Sequence, residues 1–382
     1  MGQSVMDLLD FFEHACAQVA PGDAVDTRMA AQADQWLHVQ ALAKRLGFTE
    51  DATQPGVYVN QREDRFWTLR WVRKNDFAAW HALFRVCFGH DMAQEQWLWK
   101  YRDTDKPGVA VMDQGRMVAF YGGMPRSLLA MGQPHIGIQV GDVMVHPDFR
   151  GSLSRKGPFQ MAASTFLEQS LSQGAPYWIG FGFPNTRAMQ VAERLKLYHQ
   201  VDEVLELAWD TAPEASAWWT VSGAVDPPLA LPHVGALWSA MQRSFKQSVL
   251  GVRDAHFMQT RYVDHPSKQY EWVAVRNRFT RKVNGLAVCK PESDGRLEIL
   301  DLLGPPEQFA SIVNAVRRHA ANEQRGGVFM WLTKSHQHLL SLTRPKVSEL
   351  NVSVPSNCWV PGNTDVSIEN RWWLTGGDTD FR

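Results

Sequence analysis

The chain has few cysteines. Its 382 residues include only Cys16, Cys87, Cys289 and Cys358, none of them in a C-x-x-C pair. Scattered in this way they signal neither a zinc site nor a disulfide framework, and a reduced, cytoplasmic compartment is expected. A surplus of charge is missing too. With 39 basic residues against 40 acidic ones, there is no electrostatic basis for general nucleic-acid binding or for adhesion to an anionic membrane. Any anion site must therefore be local. No apolar run reaches the roughly 18 residues of a membrane span, so none is expected. The opening Met-Gly-Gln-Ser-Val-Met-Asp has no basic region or apolar core, and Met6 stands where a myristoylation motif requires Ser or Thr.

A hydrophobic content of 45% and a charged content of 21% are those of a folded globular protein. The length exceeds what one core sustains, so two domains are expected. The 16 tryptophans are numerous, and core packing explains them before any binding cleft does.

Along the chain, Leu8, Phe11, Phe12 and Cys16, and then Trp36, Val39, Leu42 and Leu46, share helical faces on either side of a Pro21-Gly22-Asp23 break. This is an N-terminal helical extension, residues 1–64, and its expected role is structural support. Residues 57–72 read as strand, and Asn75-Asp76 offer a cap to a helix through Phe77, Trp80, Leu83, Phe84 and Cys87. Two strands about an Asp113-Gln114-Gly115 turn form a hairpin, and a further strand is expected over residues 126–131.

The organising stretch is residues 140–160: an apolar strand, a basic turn holding Arg150, Arg155 and Lys156, and a helix opened by Gly157 and Pro158. A helix N-terminus just beyond a strand end, with cations beside it, can hold a phosphate. After the helix come a buried strand over residues 177–183, a helix from Asn185 with Ala188, Val191, Ala192 and Leu195 inward, and a strand over residues 201–209. The order implies a mixed α/β sheet with helices on both faces.

Residues 211–230 are proline-containing and read as a linker. Beyond it the chain repeats itself. Lys100-Tyr101 matches Arg261-Tyr262, and Asp142 with His146-Pro147 matches Asp301 with Pro305-Pro306, each pair followed by a helical pattern and a strand. Coincidences in register argue for a duplicated domain over residues 231–382, in which Pro306-Glu307-Gln308 replaces the basic turn.

Val145-His146-Pro147-Asp148-Phe149-Arg150-Gly151 resembles motif A of the GNAT superfamily of N-acetyltransferases, and the segment from Gly182 to Ala188, with Leu195-Lys196-Leu197-Tyr198 after it, resembles motif B. Residues 65–210 follow that superfamily's element order. The duplication resembles the tandem-GNAT proteins of bacterial polysaccharide and secondary-metabolite gene sets. The resemblance implies two tandem GNAT-like domains, the second degenerate, with acetyl-CoA or another acyl-CoA as co-substrate and no metal. Carried over residue by residue, it implies that Val143, Met144 and Val145 pair with pantetheine. Arg150, Gly151, Ser152 and Gly157 then hold the pyrophosphate, and Asn185 lies at the end of the splayed strand.

The pattern departs at Leu153 and Arg155, where the family has glycines, and at Ala192, where it often has an acidic tyrosine. Tyr198, six residues further on, lies at about the wrong helical face to substitute for it. Asp142 is the candidate base; its alternative role is to pair with a nearby arginine and order the sheet, and the recurrence at Asp301 supports that alternative. His146 reads as a satisfied turn residue, while Glu95 and the chain terminus at Arg382 are outside candidates, since some tandem members use the C-terminus as base. The expected function is transfer of an acyl group to an amine of a small molecule or sugar intermediate by direct attack in a ternary complex. Non-catalytic binding and a Fem-type aminoacyl transfer are the alternatives; the near-neutral charge disfavours the latter.

Overall fold

The computed structural model describes residues 7–28, 36–61, 67–150, 157–212, 218, 220–360 and 367–381. α1 (Leu8–Gln18) starts at Asp7, whose Oδ1 accepts from the Leu9 amide at 2.9 Å. β1 (Ala24–Asp26), α2 (Trp36–Arg45), β2 (Phe48–Glu50) and β3 (Val57–Asn60) follow, and the strands form a small antiparallel sheet in the order β1-β3-β2. The pattern indicates the helices and β3, which falls within the strand-like residues 57–72, but not β1 or β2, whose three residues are too short for alternation to register. Leu9, Phe12, Val39, Leu42 and Leu46 share one core with Trp71, Phe166 and Leu167, and Arg45 pairs with Glu168 at 2.8 Å. The extension buttresses the helix carrying Phe166.

The first half continues with β4 (Thr68–Trp71), α3 (Phe77–Phe88), α4 (Gln94–Lys100), β5 (Gly108–Asp113) and β6 (Arg116–Ala130). Next are β7 (Gln133–Val145), α5 (Pro158–Leu171), β8 (Gly180–Phe181), α6 (Thr186–Arg194) and β9 (Tyr198–Trp209). The β5–β6 hairpin turns at Gln114 and Gly115, with φ of 48° and 82°, the left-handed pair that a type I′ turn requires. The strand expected over residues 126–131 is not separate: β6 runs unbroken from Arg116 to Ala130. Gly123 permits this, because a Cβ there would stand 2.5 Å from the Gln139 carbonyl oxygen of β7. In α6 the buried residue is Met189 and Ala188 is exposed, unlike the expected inward face. The helix packs on β9 and on a distant strand, β16 (Lys346–Asn357), a partner that local periodicity does not reveal.

The second half contains β10 (Thr220–Ala224), α7 (Pro227–Ser244), β11 (Val249–Gly251), α8 (Ala255–Met258), β12 (Glu271–Asn277) and β13 (Val283–Pro291). After these come β14 (Leu297–Leu303), α9 (Phe309–Asn322), β15 (Val328–Thr333), β16 and β17 (Trp372–Trp373). The stretch read as a linker thus includes β10, which pairs with β12.

Two seven-stranded sheets result, and they exchange strands. In one, β4, β5, β6, β7 and β8 are joined by β11 and β17 from the C-terminal half; the other is ordered β10-β12-β13-β14-β15-β9-β16. β9, from the N-terminal half, lies between β15 and β16. The hairpin, strand, helix and parallel strand of the first half (β5, β6, β7, α5, β8) recur in order in the second (β12, β13, β14, α9, β15).

Candidate active site

β7 and β8 run parallel but pair only at Ile138–Gly180 and Gln139–Phe181. Beyond this point they part. Among the described residues no strand pairs with the β8-facing edge of residues 140–145, while the other edge stays on β6, Met144 opposite Phe120 and Val145 opposite Ala119. Gln139 marks the parting: it is 1% exposed, yet neither its amide nitrogen nor its oxygen has a partner. An open strand edge and an unpartnered buried amide are groups that an amide-bearing chain such as pantetheine fits.

The other expected cofactor residues are placed unevenly. Arg150 lies against β7, its Nε donating to the Val145 carbonyl at 2.8 Å, and the Cys87 thiol donates to the same oxygen at 3.3 Å. Gly151 and Ser152 lie outside the described residues. Gly157 is buried and precedes α5 in extended conformation, with no side-chain cap on the helix. Its terminal amides are therefore not taken by a cap. Asn185 instead caps α6, its Oδ1 accepting from the Ala188 amide at 2.9 Å, and bridges to Val352 of β16.

Asp142 sits in a β-bulge. Phe120 faces Met144 and Gly122 faces Gly141, so pairing is interrupted at Asp142, whose φ is 51°. Its Oδ2 accepts from the Tyr101 hydroxyl at 2.7 Å, and its Oδ1 meets the Lys100 ammonium at 2.6 Å. Lys100 ends α4 and is itself buried, and its Nζ also pairs with Asp380 near the C-terminus. Burial lowers the pKa of this lysine, but the two carboxylates outweigh it and the net shift is upward; Asp380, despite its burial, is held below its ordinary value by Lys100. The Tyr101 hydroxyl is raised well above its ordinary value by burial and by Asp142. His146 is a satisfied turn residue, 2.5 Å from Arg116, and Glu95 is exposed on α4. Arg382 lies outside the described residues.

The second half repeats this arrangement. The Tyr262 hydroxyl donates to Asp301 Oδ2, and Asp301 Oδ1 pairs at 3.0 Å with Arg253, which is 0% exposed and also pairs with Asp378. β14 is bulged at Leu300, beside Asp301, as β7 is at Asp142. β14 and β15 also part after three pairings, Leu297–Val328 to Ile299–Met330. Here the gap is filled by the chain itself. Thr375 bridges to Leu332, the Thr333 amide donates to the Leu374 carbonyl at 3.2 Å, and the Thr375 hydroxyl donates to Asp301 at 3.1 Å.

Sequence reasoning singled out Asp142 but not Lys100 or Asp380. The match of Tyr101 to Tyr262 carried part of the signal, since each tyrosine bonds the repeated aspartate, but the matched cations differ in role: Lys100 pairs with Asp142, whereas Asp301 takes Arg253 and not Arg261. Tyr198 is also placed differently from the helical expectation. α6 ends at Arg194, Lys196 turns with φ of 57°, and Tyr198 begins β9. Its buried hydroxyl accepts from Tyr121 at 3.1 Å and lies 3.5 Å from where a Cβ on Gly180 would stand, beside the β7–β8 pairing. A depression of about 320 Å³ between β10 and α9 and one of about 140 Å³ along β9 and β16 touch none of these residues. Among the described residues, no three metal-ligating side chains cluster and no helix is long and apolar enough to cross a membrane.

A mixed α/β fold with a parted parallel strand pair, a bulge at the parting and a helix N-terminus beyond it defines an acyl-transfer enzyme when joined to the sequence match over the same elements. Residues 68–189 match the acetyltransferase (GNAT) domain family, and the chain carries a GNAT domain. No curated protein matches in sequence. The fold resembles that of a probable N-acyltransferase from Enterococcus faecalis V583, with 12% identity, TM-score 0.61 and coverage of 77% of this chain and 72% of that one. A GCN5-related N-acetyltransferase from Kribbella flavida has 16% identity and TM-score 0.57, covering 77% and 71%. Saccharomyces cerevisiae N-myristoyltransferase, solved with myristoyl-CoA, has 8% identity and TM-score 0.51, covering 80% and 87%.

Proposed function

We propose that the protein is an acyl-CoA-dependent N-acyltransferase of tandem-GNAT type, transferring acetyl from acetyl-CoA to an amine of a small molecule or sugar intermediate in the cytoplasm of a bacterium. One observation carries this reading: of two equivalent parted strand pairs, the second is filled by residues 374–375 of the chain, while at the first no strand among the described residues covers the edge at residues 140–145. The donor would lie on the edge at Val143, Met144 and Val145, with Arg150 and the α5 terminus at its phosphates. When bound it supplies the activated acyl group. No metal and no nucleic acid enters this reading. The residues of the chain orient the donor, exclude water and place backbone amides at the bulge where an oxyanion can be met. Attack by the amine in a ternary complex requires no covalent enzyme intermediate.

Titration calorimetry with acetyl-CoA tests this. One site per chain is expected, and Arg150→Glu should weaken binding by at least about 1.5 kcal/mol, the scale of a charge-assisted hydrogen bond. If the wild-type protein binds no acyl-CoA of any chain length, the reading fails.

A further inference from the structure

We infer that Asp380 and Lys100 are positioning residues, through which the C-terminal segment fixes Asp142 and the bulge that parts β7 from β8. The inference rests on the acyl-CoA reading for its kinetic consequences, but its structural consequence can be read without any donor.

The bulge needs an external hold. A non-glycine residue at a left-handed φ is strained, and Asp142 adopts one within a strand. Nothing in β7 repays that. Asp142 is held instead by donors to both oxygens, Tyr101 and Lys100, which follow one another at the end of α4. The aromatic cluster of Trp80, Trp97, Tyr101 and Phe120 sets that helix end rigidly against β6.

Lys100 in turn has a second carboxylate. A buried ammonium is tolerated only when paired, and its Nζ pairs with Asp380 as well as with Asp142 Oδ1, while Asp142 Oδ2 is taken by Tyr101. Asp380 passes close over Gly141, where a Cβ would lie 3.1 Å from Met124 Cε and 3.2 Å from Asp380 Oδ2 and would crowd both. On either side of Asp380 the chain is tied to the second half. Arg261 donates to the carbonyls of Gly377, at 3.2 Å, and Thr379, at 3.0 Å, and Lys268 donates to that of Phe381 at 2.8 Å.

The segment therefore presents two carboxylates: Asp378 to Arg253, with Arg126 of β6 at 3.4 Å from its other oxygen, and Asp380 to Lys100. It closes the second gap and braces the first. With both Asp142 oxygens engaged, the cluster holds geometry and leaves proton transfer to other groups.

Asp380→Asn and Asp380→Glu in the full chain test this. Asparagine should raise the acetyl-CoA Kd and KM at least about ten-fold, equivalent to roughly 1.4 kcal/mol, with kcat within about three-fold and an unchanged pH profile. Glutamate should restore part of the loss. Hydrogen exchange at the amides of Val143, Met144 and Val145 should quicken in the asparagine variant with no donor present. Should that variant fold poorly, Gly141→Ala, which crowds Asp380 and keeps every charge, should show the same exchange and KM effects in weaker form. Unchanged exchange in both variants overturns the inference. So does a fall in kcat with loss of the acidic limb of the pH profile, which would make Asp380 a proton acceptor. If wild-type protein binds no donor, only the functional reading falls, and exchange still decides this one.

Discussion

Thr375 bridges the backbone of Leu332 in antiparallel register, and its hydroxyl donates to Asp301 at 3.1 Å. A residue near the C-terminus thus pairs with a strand edge that parting of β14 from β15 would otherwise leave open. Unpaired edges inside a protein are costly, so an edge left open by the parting of two strands has to be covered. The chain does so with its own end.

That closure predicts a stability effect at Gly376. A Cβ there would stand 2.7 Å from Glu298 Oε1 and 3.2 Å from Leu300 Cδ2. Gly376→Val should lower the stability by about 1–3 kcal/mol through overpacking, seen as a lower urea midpoint with an unchanged slope. A midpoint equal to wild type would mean that the segment is not packed into the gap.

The buried cation between Asp301 and Asp378 predicts a larger loss. Arg253→Met leaves Asp301 buried without a cation and Asp378 with Arg126 alone, at 3.4 Å, and should cost about 3–5 kcal/mol. Arg253→Met combined with Asp301→Leu should recover part of this if unpaired charge is the cause. Equal destabilisation of the single and double variants in urea would point to lost packing instead.

Tyr198 lies beside the strand parting, with its hydroxyl raised well above the ordinary value by burial and by Tyr121. That shift makes it a weaker acid, so its candidacy as proton donor to a leaving thiolate rests on its place beside the parting. Tyr198→Phe should therefore lower kcat by about 10²-fold or more while acetyl-CoA affinity stays near wild type. Retention of full kcat in a steady-state assay would remove Tyr198 from the chemistry.

Acid should destabilise the fold before its carboxylates titrate. Burial lowers His336 from 6.5 to about 4, against a partial upward pull from the Trp372 carbonyl. His265 falls from 6.5 to about 3 through burial, Arg261 and Lys268. Both are depressed in the fold, so the unfolded chain binds more protons between pH 6.5 and those values, and stability rises with pH across that window. It is fully present above pH 6.5 and is lost on acidification. Urea midpoints at pH 7, 5.5 and 4.5 should fall in that order, and His336→Gln, which can keep bonds to Ser248 and Trp372, should flatten the slope. A midpoint independent of pH in this range would contradict the neutral state of both rings.

The sequence by itself determined the local elements, because their causes are local. The Gln114-Gly115 turn, the α5 start at Gly157-Pro158, the β9 strand and the duplicated tyrosine and aspartate are legible from turn chemistry, helix-start preference and spacing. The parallel placement of β7 beside β8 follows from the same element order. What only the tertiary structure decided depends on residues far apart in the chain. Periodicity cannot tell that β9 crosses to β15, that the helical-face argument stops applying to Tyr198 once Lys196 turns, or that Asn185 is spent on α6. Nor does composition show that Asp142 is held by Lys100 and, through it, by Asp380. A buried charge takes its partner from whichever segment folding brings within about 4 Å, and sequence separation sets no limit on which segment that is.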